Sequence, residues 1–139
     1  MRYGLTLVEL AVTLCILSIL SATALPAAGR FLDSMEVRGA VMEIESLFST
    51  ARHLAIARGG QVAVDIDSVR ATVVVSASGD TLRKAYIGIE HAVRLAVTRA
   101  GMVYSATGIG YGAANLSVVV RRNAAVDTVV VSRLGRVRH

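Results

Sequence analysis

The feature that most constrains this 139-residue chain is an apolar run near its N-terminus. From Leu5 to Ala28 the only charged residue is Glu9. As an α-helix this run would be about 36 Å long, and the hydrocarbon core of a bilayer is about 30 Å thick. The run therefore predicts one membrane-spanning helix. The rest of the chain has the composition of an ordinary small α+β domain.

Two interpretations compete for the first 30 residues. A secretory signal peptide would use Arg2 as its positive end and Ala22-Thr23-Ala24 as an A-x-A cleavage site. Against it, Glu9 lies near the start of the apolar core, and the run continues beyond that cleavage site to Ala28. The second interpretation depends on the residues around Glu9.

Residues 4–10 have the sequence GLTLVEL. This segment resembles the prepilin motif G-F-T-L-I-E-L of type IV pilins and type II secretion pseudopilins, with five of seven residues identical. A long apolar helix follows, and then Ala24-Leu25-Pro26, another frequent pilin feature. We favour this interpretation over the signal peptide, because the motif and its context agree.

The resemblance implies processing and a topology. A prepilin peptidase would cleave between Gly4 and Leu5 on the cytoplasmic side and N-methylate Leu5. The leader Met1–Gly4 is short for the family, which leaves open whether Met1 is the true start. Arg2 supplies the positive charge that keeps this end in the cytoplasm. The expected location is the bacterial inner membrane, crossed once, with the C-terminal domain periplasmic and later part of a filament.

Glu9 has a specific expected role. A lone carboxylate in hydrocarbon costs several kcal/mol, so a retained charge needs a partner. The resemblance implies that this partner is the amino-terminal ammonium of a neighbouring subunit. Their pairing in a low dielectric would favour one axial register in the filament. The alternative is that Glu9 lies at headgroup depth without a role.

An amphipathic helix is predicted over residues 30–58. Its apolar face has spacings of three and four residues: Val37, Val41, Ile44, Phe48, Ala51, Ala55. Gly59-Gly60 predicts the end of this helix. Pro26 should kink or loosen the preceding helix. The alternative is a plain break, with a second helix starting at Arg30.

The remainder predicts a β domain. Strands are expected at 61–66, 69–77, 82–87, 92–97, 102–105, 116–121 and 126–132. The last two form a hairpin that turns at Asn123-Ala124, so the numbers of facing residues add up to about 247. The predicted fold class is α+β, with a long N-terminal helix on an antiparallel sheet. The predicted organisation is a leader (1–4), a transmembrane helix (5–29), an amphipathic helix (30–58) and a sheet domain (61–139).

Two further segments narrow the resemblance. Residues 51–59, ARHLAIARG, resemble the A-R-x-x-A-I-x-R-G segment of the GspH/FimT family of minor pseudopilins and minor pilins. Residues 131–138, VSRLGRVR, are similar to that family's terminal strand. The resemblance implies a type IV pilin-like fold and a structural subunit of a type II secretion pseudopilus or a type IV pilus. The implied partners are other pilin subunits, prepilin peptidase and inner-membrane lipid.

The sequence predicts no enzyme, no cofactor and no metal site. The three histidines are scattered and lack metal-ligand spacing: His53, His91, His139. Asp65 and Asp67 share one strand face, which is a weak calcium pattern, and a solvated face is the favoured interpretation. Residues 108–112, GIGYG, match neither a P-loop nor a dinucleotide fingerprint and are expected to form a loop.

Basic residues concentrate in the C-terminal third. Residues 91–139 hold seven arginines and one acidic residue, a balance of +6, whereas residues 1–90 have a balance of −1. Such a surface is either a solvated docking face or a site for an anionic partner. Arg121 and Arg122 are expected at the hairpin turn and Arg133 opposite Ala114 at the other end, which predicts two basic patches.

The last residues suggest one such partner. Gly135-Arg136-Val137-Arg138 is similar to the G-R-x-R tail of FimT-type minor pilins, which are associated with DNA capture. The resemblance implies that Arg136 and Arg138 contact DNA phosphates, with Arg133 as support. A similar tail occurs in secretion-type members, so subunits for secretion and for DNA capture both stay open.

Overall fold

A computed structural model describes residues 6–111 and 115–138. The elements in chain order are α1 (Leu7–Arg58), β1 (Val62–Asp67), β2 (Thr72–Ala77), β3 (Asp80–Ala85), α2 (Ile87–Glu90), β4 (Arg94–Val97), β5 (Gly101–Tyr104), β6 (Gly110–Tyr111), β7 (Leu116–Arg122), β8 (Ala125–Val131) and β9 (Val137–Arg138). The chain divides into two compact units, one ending at Leu32 and one beginning at Asp33. The predicted leader and the Gly4–Leu5 cleavage site lie outside the described residues.

The first unit is the N-terminal part of α1. The Glu9 backbone N–H donates to the Thr6 hydroxyl at 3.2 Å, so Thr6 caps the helix. The Leu10 N–H donates to the Thr6 carbonyl at 3.1 Å and closes the first turn. Every described residue of this unit is exposed, and the segment is long and apolar enough to cross a membrane. It therefore fits the predicted single-pass anchor by length and composition.

Pro26 does not end this helix. α1 is uninterrupted from Leu7 to Arg58, so the alternative of a break with a new helix at Arg30 is wrong. Proline removes its own backbone donor and crowds the carbonyl four residues earlier, so its cost is confined to about one turn. In apolar surroundings the remaining peptide groups still gain most by bonding within the helix.

The second unit begins with the amphipathic part of α1. All six residues of the predicted apolar stripe are buried, and Ala40 and Leu47 complete it. The helix ends where predicted: Gly59 has φ of 60°, its N–H donates to the Ile56 carbonyl, and the Gly60 N–H donates to the Ala55 carbonyl. A positive φ at this position favours glycine, which is why the pair stops the helix.

The predicted α+β fold class is confirmed, but the strands form two sheets instead of one. The first has the order β3-β2-β1-β5-β6 and the second the order β4-β7-β8-β9, and all neighbouring strands are antiparallel. The chain leaves the first sheet after β3 through α2, and Ala92 with φ of 51° precedes β4. Both sheets and α1 share one core, which contains Phe48, Val73, Tyr104 and Val118.

The β7–β8 register is the predicted one. Leu116 pairs with Val131 and Arg122 with Ala125, so facing numbers add up to 247. Asn123, with φ of 50°, lies in the turn, and asparagine tolerates this conformation better than most residues. Arg133 lies beyond the end of β8, in the turn before β9, and not on the ladder. Its predicted partner Ala114 lies outside the described residues.

Several strand boundaries differ from the prediction. β2 begins at Thr72 and not at residue 69, because the Asp67 carboxylate accepts the N–H groups of Val69 and Arg70 and turns the chain there. Ser78 and Gly79 have φ of 53° and 89°, which makes a tight hairpin, so β3 starts at Asp80.

Two further segments depart from the prediction. Ile87 belongs to α2 and not to a strand. In the predicted glycine loop, Gly110–Tyr111 form β6, while Gly112 lies outside the described residues.

Candidate functional site

The C-terminal tail is held in place by a tight turn between β8 and β9. The Ser132 N–H donates to the Arg136 carbonyl, and the Gly135 N–H donates to the Ser132 carbonyl, both at 2.8 Å. The Arg133 carbonyl accepts the Gly110 N–H at 2.8 Å, which joins this turn to β6. The tail is thus bonded through its backbone to both sheets. The three arginine side chains of this segment are exposed: Arg133, Arg136, Arg138.

Gly135 lies directly on Arg52 of α1. A Cβ added at Gly135, where φ is 75°, would lie 2.8 Å from the Arg52 Cδ and 2.9 Å from its Nε. A Cβ at Gly108 would meet the same Nε at 3.1 Å. Arg52 belongs to the A-R-x-x-A segment and Gly135 to the G-R-x-R segment. The two segments that carried the family resemblance are therefore in contact.

Arg52 also borders the buried Tyr104. Burial raises the pKa of Tyr104 to about 12, and the positive charge of Arg52 opposes this rise. Among the described residues, neither the Tyr104 hydroxyl nor the Arg52 Nε has a hydrogen-bond partner, although both atoms are buried.

The outward side of the second sheet is basic and has no acidic residue among the described ones. We call this side the basic face. Its residues follow from the register and the alternation of buried positions: Arg94, Ala96, Ser117, Val119, Arg121, Val126, Thr128, Val130, Arg138. Arg94 and Arg121 face each other directly across β4 and β7. Like charges opposite each other destabilise a sheet unless an anion or solvent screens them.

Arg121 from the hairpin turn and the tail arginines Arg136 and Arg138 lie on the same side of this sheet. Arg138 pairs in register with Val130, which pairs with Ser117, and Arg136 lines the same surface pocket as Arg138. Arg121 is four residues from Ser117 along β7, or about 13 Å. Sequence reasoning found both groups of arginines but not that Arg121 shares a side with the tail, because the pairing of β8 with β9 was not predicted.

Arg122 is not part of the basic face. Its Nε donates to an Asp33 carboxylate oxygen at 2.8 Å, and its Nη1 donates to the His91 carbonyl at 2.6 Å. The Asn123 side-chain amide donates to the other Asp33 oxygen at 2.9 Å. The Asn123 and Arg122 hydrogen bonds lower the pKa of Asp33, with a smaller contribution from the arginine charge. This network fastens the β7–β8 turn to α1.

A second polar cluster surrounds His91. Its Nδ1 lies 3.0 Å from a Glu36 carboxylate oxygen and its Nε2 3.2 Å from a Glu43 oxygen. The donor atoms of Glu43, Glu90 and His91 all lie within 4.8 Å of one another. The sequence did not indicate this cluster, because His91 lacks metal-ligand spacing to the other histidines and Glu36 and Glu43 are 55 and 48 residues away in the chain.

The other candidate residues have simpler surroundings. Asp65 and Asp67 are exposed opposite buried Val64 and Ile66, as predicted for a solvated face. Asp67 serves the turn after β1, and its hydrogen bonds from the Arg70 and Val69 backbone lower its pKa. Glu9 lies in the first turn of α1, where a carboxylate is favoured by the helix dipole.

The architecture is that of the type IV pilin-like class, in which a long N-terminal helix packs on antiparallel sheets. The type IV minor pilin FimU of Pseudomonas aeruginosa has a similar structure, with a TM-score of 0.65, 16% identity, and coverage of 78% of this chain and 90% of that one. The minor pseudopilin EpsH of the Vibrio cholerae type 2 secretion system gives a TM-score of 0.58, 11% identity, and coverage of 74% and 94%. Because the sequence identities are this low, the structural similarity establishes the fold alone.

Comparisons with protein-family models and with curated proteins found no match to this sequence. These structural neighbours are named as a minor pilin and a minor pseudopilin.

Proposed function

We propose that this chain is a minor pilin or pseudopilin, a structural subunit of a periplasmic or surface filament. The observation that supports it best is the combination of a pilin-like fold with an exposed apolar helix that begins in a prepilin-type motif. Before assembly, residues 5–28 anchor the chain in the inner membrane with the N-terminus cytoplasmic. Prepilin peptidase removes residues 1–4 and methylates Leu5.

Assembly gives the apolar helix a protein environment. All described residues of the anchor are exposed in the single chain, and Met35 and Met42 extend exposed apolar surface along α1. Packing against the helices of neighbouring subunits would cover this surface. Glu9 then pairs with the amino terminus of a neighbour and fixes the register.

The test separates processing from assembly. The full chain is expressed with a prepilin peptidase and with the pilins of a host filament, and mass spectrometry follows loss of residues 1–4 and methylation of Leu5. We expect Gly4→Val to abolish cleavage, while Glu9→Gln is cleaved but enters filaments at least tenfold less. Asp80→Asn removes an exposed carboxylate elsewhere and should behave as wild type. Uncleaved wild type, or normal assembly of Glu9→Gln, would contradict the proposal.

A second candidate function, DNA capture, is favoured by the basic face. Its arginines lie at both ends of an acid-free side, about 13 Å apart along the strands, which corresponds to roughly four base-pair steps of 3.4 Å. No aromatic residue lies on this face among the described residues, so stacking on bases is not expected. Binding would be directed at phosphates and would not depend on sequence.

The DNA test is a salt titration of the full chain in detergent. We expect binding that weakens as salt rises, and a slope of log K against log salt that falls by about one for each arginine removed. Arg136→Ala/Arg138→Ala and Arg94→Ala/Arg121→Ala should each show this loss. Arg58→Ala/Arg83→Ala removes the same charge from exposed positions outside the face and serves as the control. Equal losses of DNA affinity in all three variants would show that binding depends only on net charge and not on the basic face. If the wild type does not bind DNA, a secretion pseudopilus is the better assignment.

A further inference from the structure

We propose that His91, Glu43 and Glu90 form a binding site for one divalent transition-metal ion of the zinc type. Glu36 orients the imidazole from the other side. This site was not expected from the sequence, which offered no metal-ligand spacing. It is independent of the proposed filament and DNA functions, because none of its residues belongs to the basic face or to the anchor.

The donor chemistry suits such an ion. A neutral imidazole that donates its Nδ1–H to Glu36 presents the lone pair of Nε2 toward Glu43, and a carboxylate on the far nitrogen is the usual partner of a metal-bound histidine. Imidazole nitrogen and carboxylate oxygen bind zinc at about 2.0–2.2 Å. Tetrahedral ligands at such lengths lie about 3.4 Å apart, so the donor atoms, now within 4.8 Å of one another, would approach by up to about 1.4 Å around an ion. Glu90 is exposed and has room to make that movement.

The charge balance also favours a cation. Three carboxylates, Glu36, Glu43 and Glu90, surround one imidazole, so even the protonated ring leaves two negative charges. The side chains of His91 and Glu43 are only 20% and 23% exposed, so solvent and salt screen this excess less than on an open surface. With a neutral ring the three carboxylates carry three negative charges, and a divalent ion would reduce this excess to one.

Contacts with α1 and with Arg122 fix the position of His91 before any ion binds. A Cβ at Gly39 would lie 3.0 Å from the His91 Cε1 and 3.2 Å from its Nδ1, so the helix leaves space for the ring at a glycine between Glu36 and Glu43. The His91 carbonyl is held by Arg122, which is itself anchored on Asp33. Ligands held in place by such supporting contacts lose less freedom when a metal binds.

The direct test is zinc binding to the chelator-treated full chain in detergent, measured by calorimetry. We expect one ion per chain, and a melting temperature about 10 °C higher when free zinc is a hundredfold above Kd. Glu90→Gln and Glu43→Gln should each weaken binding at least tenfold. Glu90→Gln disturbs none of the hydrogen bonds described above, so its fold should be kept, and Asp65→Asn is the matched control. Magnesium should not displace zinc, since it prefers an all-oxygen octahedral shell.

X-ray absorption at the zinc edge distinguishes this donor set from sulfur ligands, and the glutamate variants assign it to His91. One imidazole with oxygen neighbours supports the proposal. A sulfur neighbour would place the ion at Cys15 and overturn the proposal. The absence of saturable binding, or equal affinity in Glu90→Gln, Glu43→Gln and Asp65→Asn, would overturn it as well.

Discussion

At Gly135 both the backbone conformation and the neighbouring Arg52 side chain disfavour any residue with a Cβ atom. Its φ of 75° lies in the left-handed region, and the space beside it is filled by the Arg52 side chain. The neighbouring Arg136 and Arg138 owe their exposed positions to the turn that Gly135 makes possible. Gly135 therefore sets the geometry of the tail, while the arginines supply its charge.

Replacing Gly135 tests this arrangement. Gly135→Ala should destabilise the chain by about 1–3 kcal/mol, because the added Cβ combines backbone strain with a contact below 3 Å to Arg52. Gly60→Ala is the matched control, since its Cβ would meet only the Arg58 carbonyl at 4.0 Å. Urea unfolding of the full chain in detergent measures both. Equal free energies of unfolding for the two variants would show that the tail or the Arg52 side chain can move to accommodate the added Cβ.

The lowered pKa of Asp33 predicts that the stability of the fold decreases in acid. Because its folded pKa lies below the ordinary value of 3.8, its contribution is fully present above about pH 4 and is lost as the pH falls through the folded pKa. We expect Asp33→Asn to be less stable than wild type at pH 7, and to lose less further stability between pH 4 and pH 2. Thermal unfolding across this range is the measurement, with Asp80→Asn as control. If Asp33→Asn lost as much stability as the wild type between pH 4 and pH 2, Asp33 would not be the source of the pH dependence.

Among the elements, α1 and the β7–β8 hairpin were predictable because their determinants are local. The spacing of three and four residues marked the buried stripe, and the turn at Asn123 fixed the register. The division into two sheets was not predictable in this way. It depends on the pairing of Arg94 with Arg121, two residues far apart in sequence whose partners no local pattern specifies.

The buried stripe of α1 should dominate the stability of the second unit. Phe48 has no exposed surface and lies in the core shared by both sheets, so Phe48→Ala should cost about 3–5 kcal/mol. Met42 is on the same helix but 67% exposed, and Met42→Ala should change stability by less than about 0.5 kcal/mol. Denaturant unfolding gives both values. A comparable loss in the two variants would mean that the outward side of α1 is also covered in the single chain.

In the molecule as a whole, the sequence indicated one of the two candidate sites, the C-terminal tail, and not the other, the His91 cluster. Motifs identified Arg136 and Arg138, because their chemistry is contained in four consecutive residues. The His91 cluster was missed, because folding alone brings residue 91 to residues 36 and 43 of α1. The processing residues Gly4 and Leu5 and the role of Glu9 stay predictions from the resemblance.

The distribution of buried residues predicts that the second unit folds without the anchor. Every buried hydrophobic residue among the described ones lies between Val37 and Val131. A chain of residues 31–139 keeps this entire core together with Asp33, and it should unfold cooperatively within a few degrees of the full chain.

A chain of residues 46–139 is the matched control for that experiment. It loses four buried residues, Val37, Ala40, Val41 and Ile44, and also Asp33, the partner of Arg122. Burial of each large aliphatic side chain contributes about 1.5–3 kcal/mol, so this loss is comparable to the usual 5–15 kcal/mol stability of a domain. We therefore expect no cooperative transition from 46–139 in calorimetry or circular dichroism. If residues 31–139 also failed to unfold cooperatively, the anchor would have to contribute to folding, and the core confined to the second unit would not be sufficient.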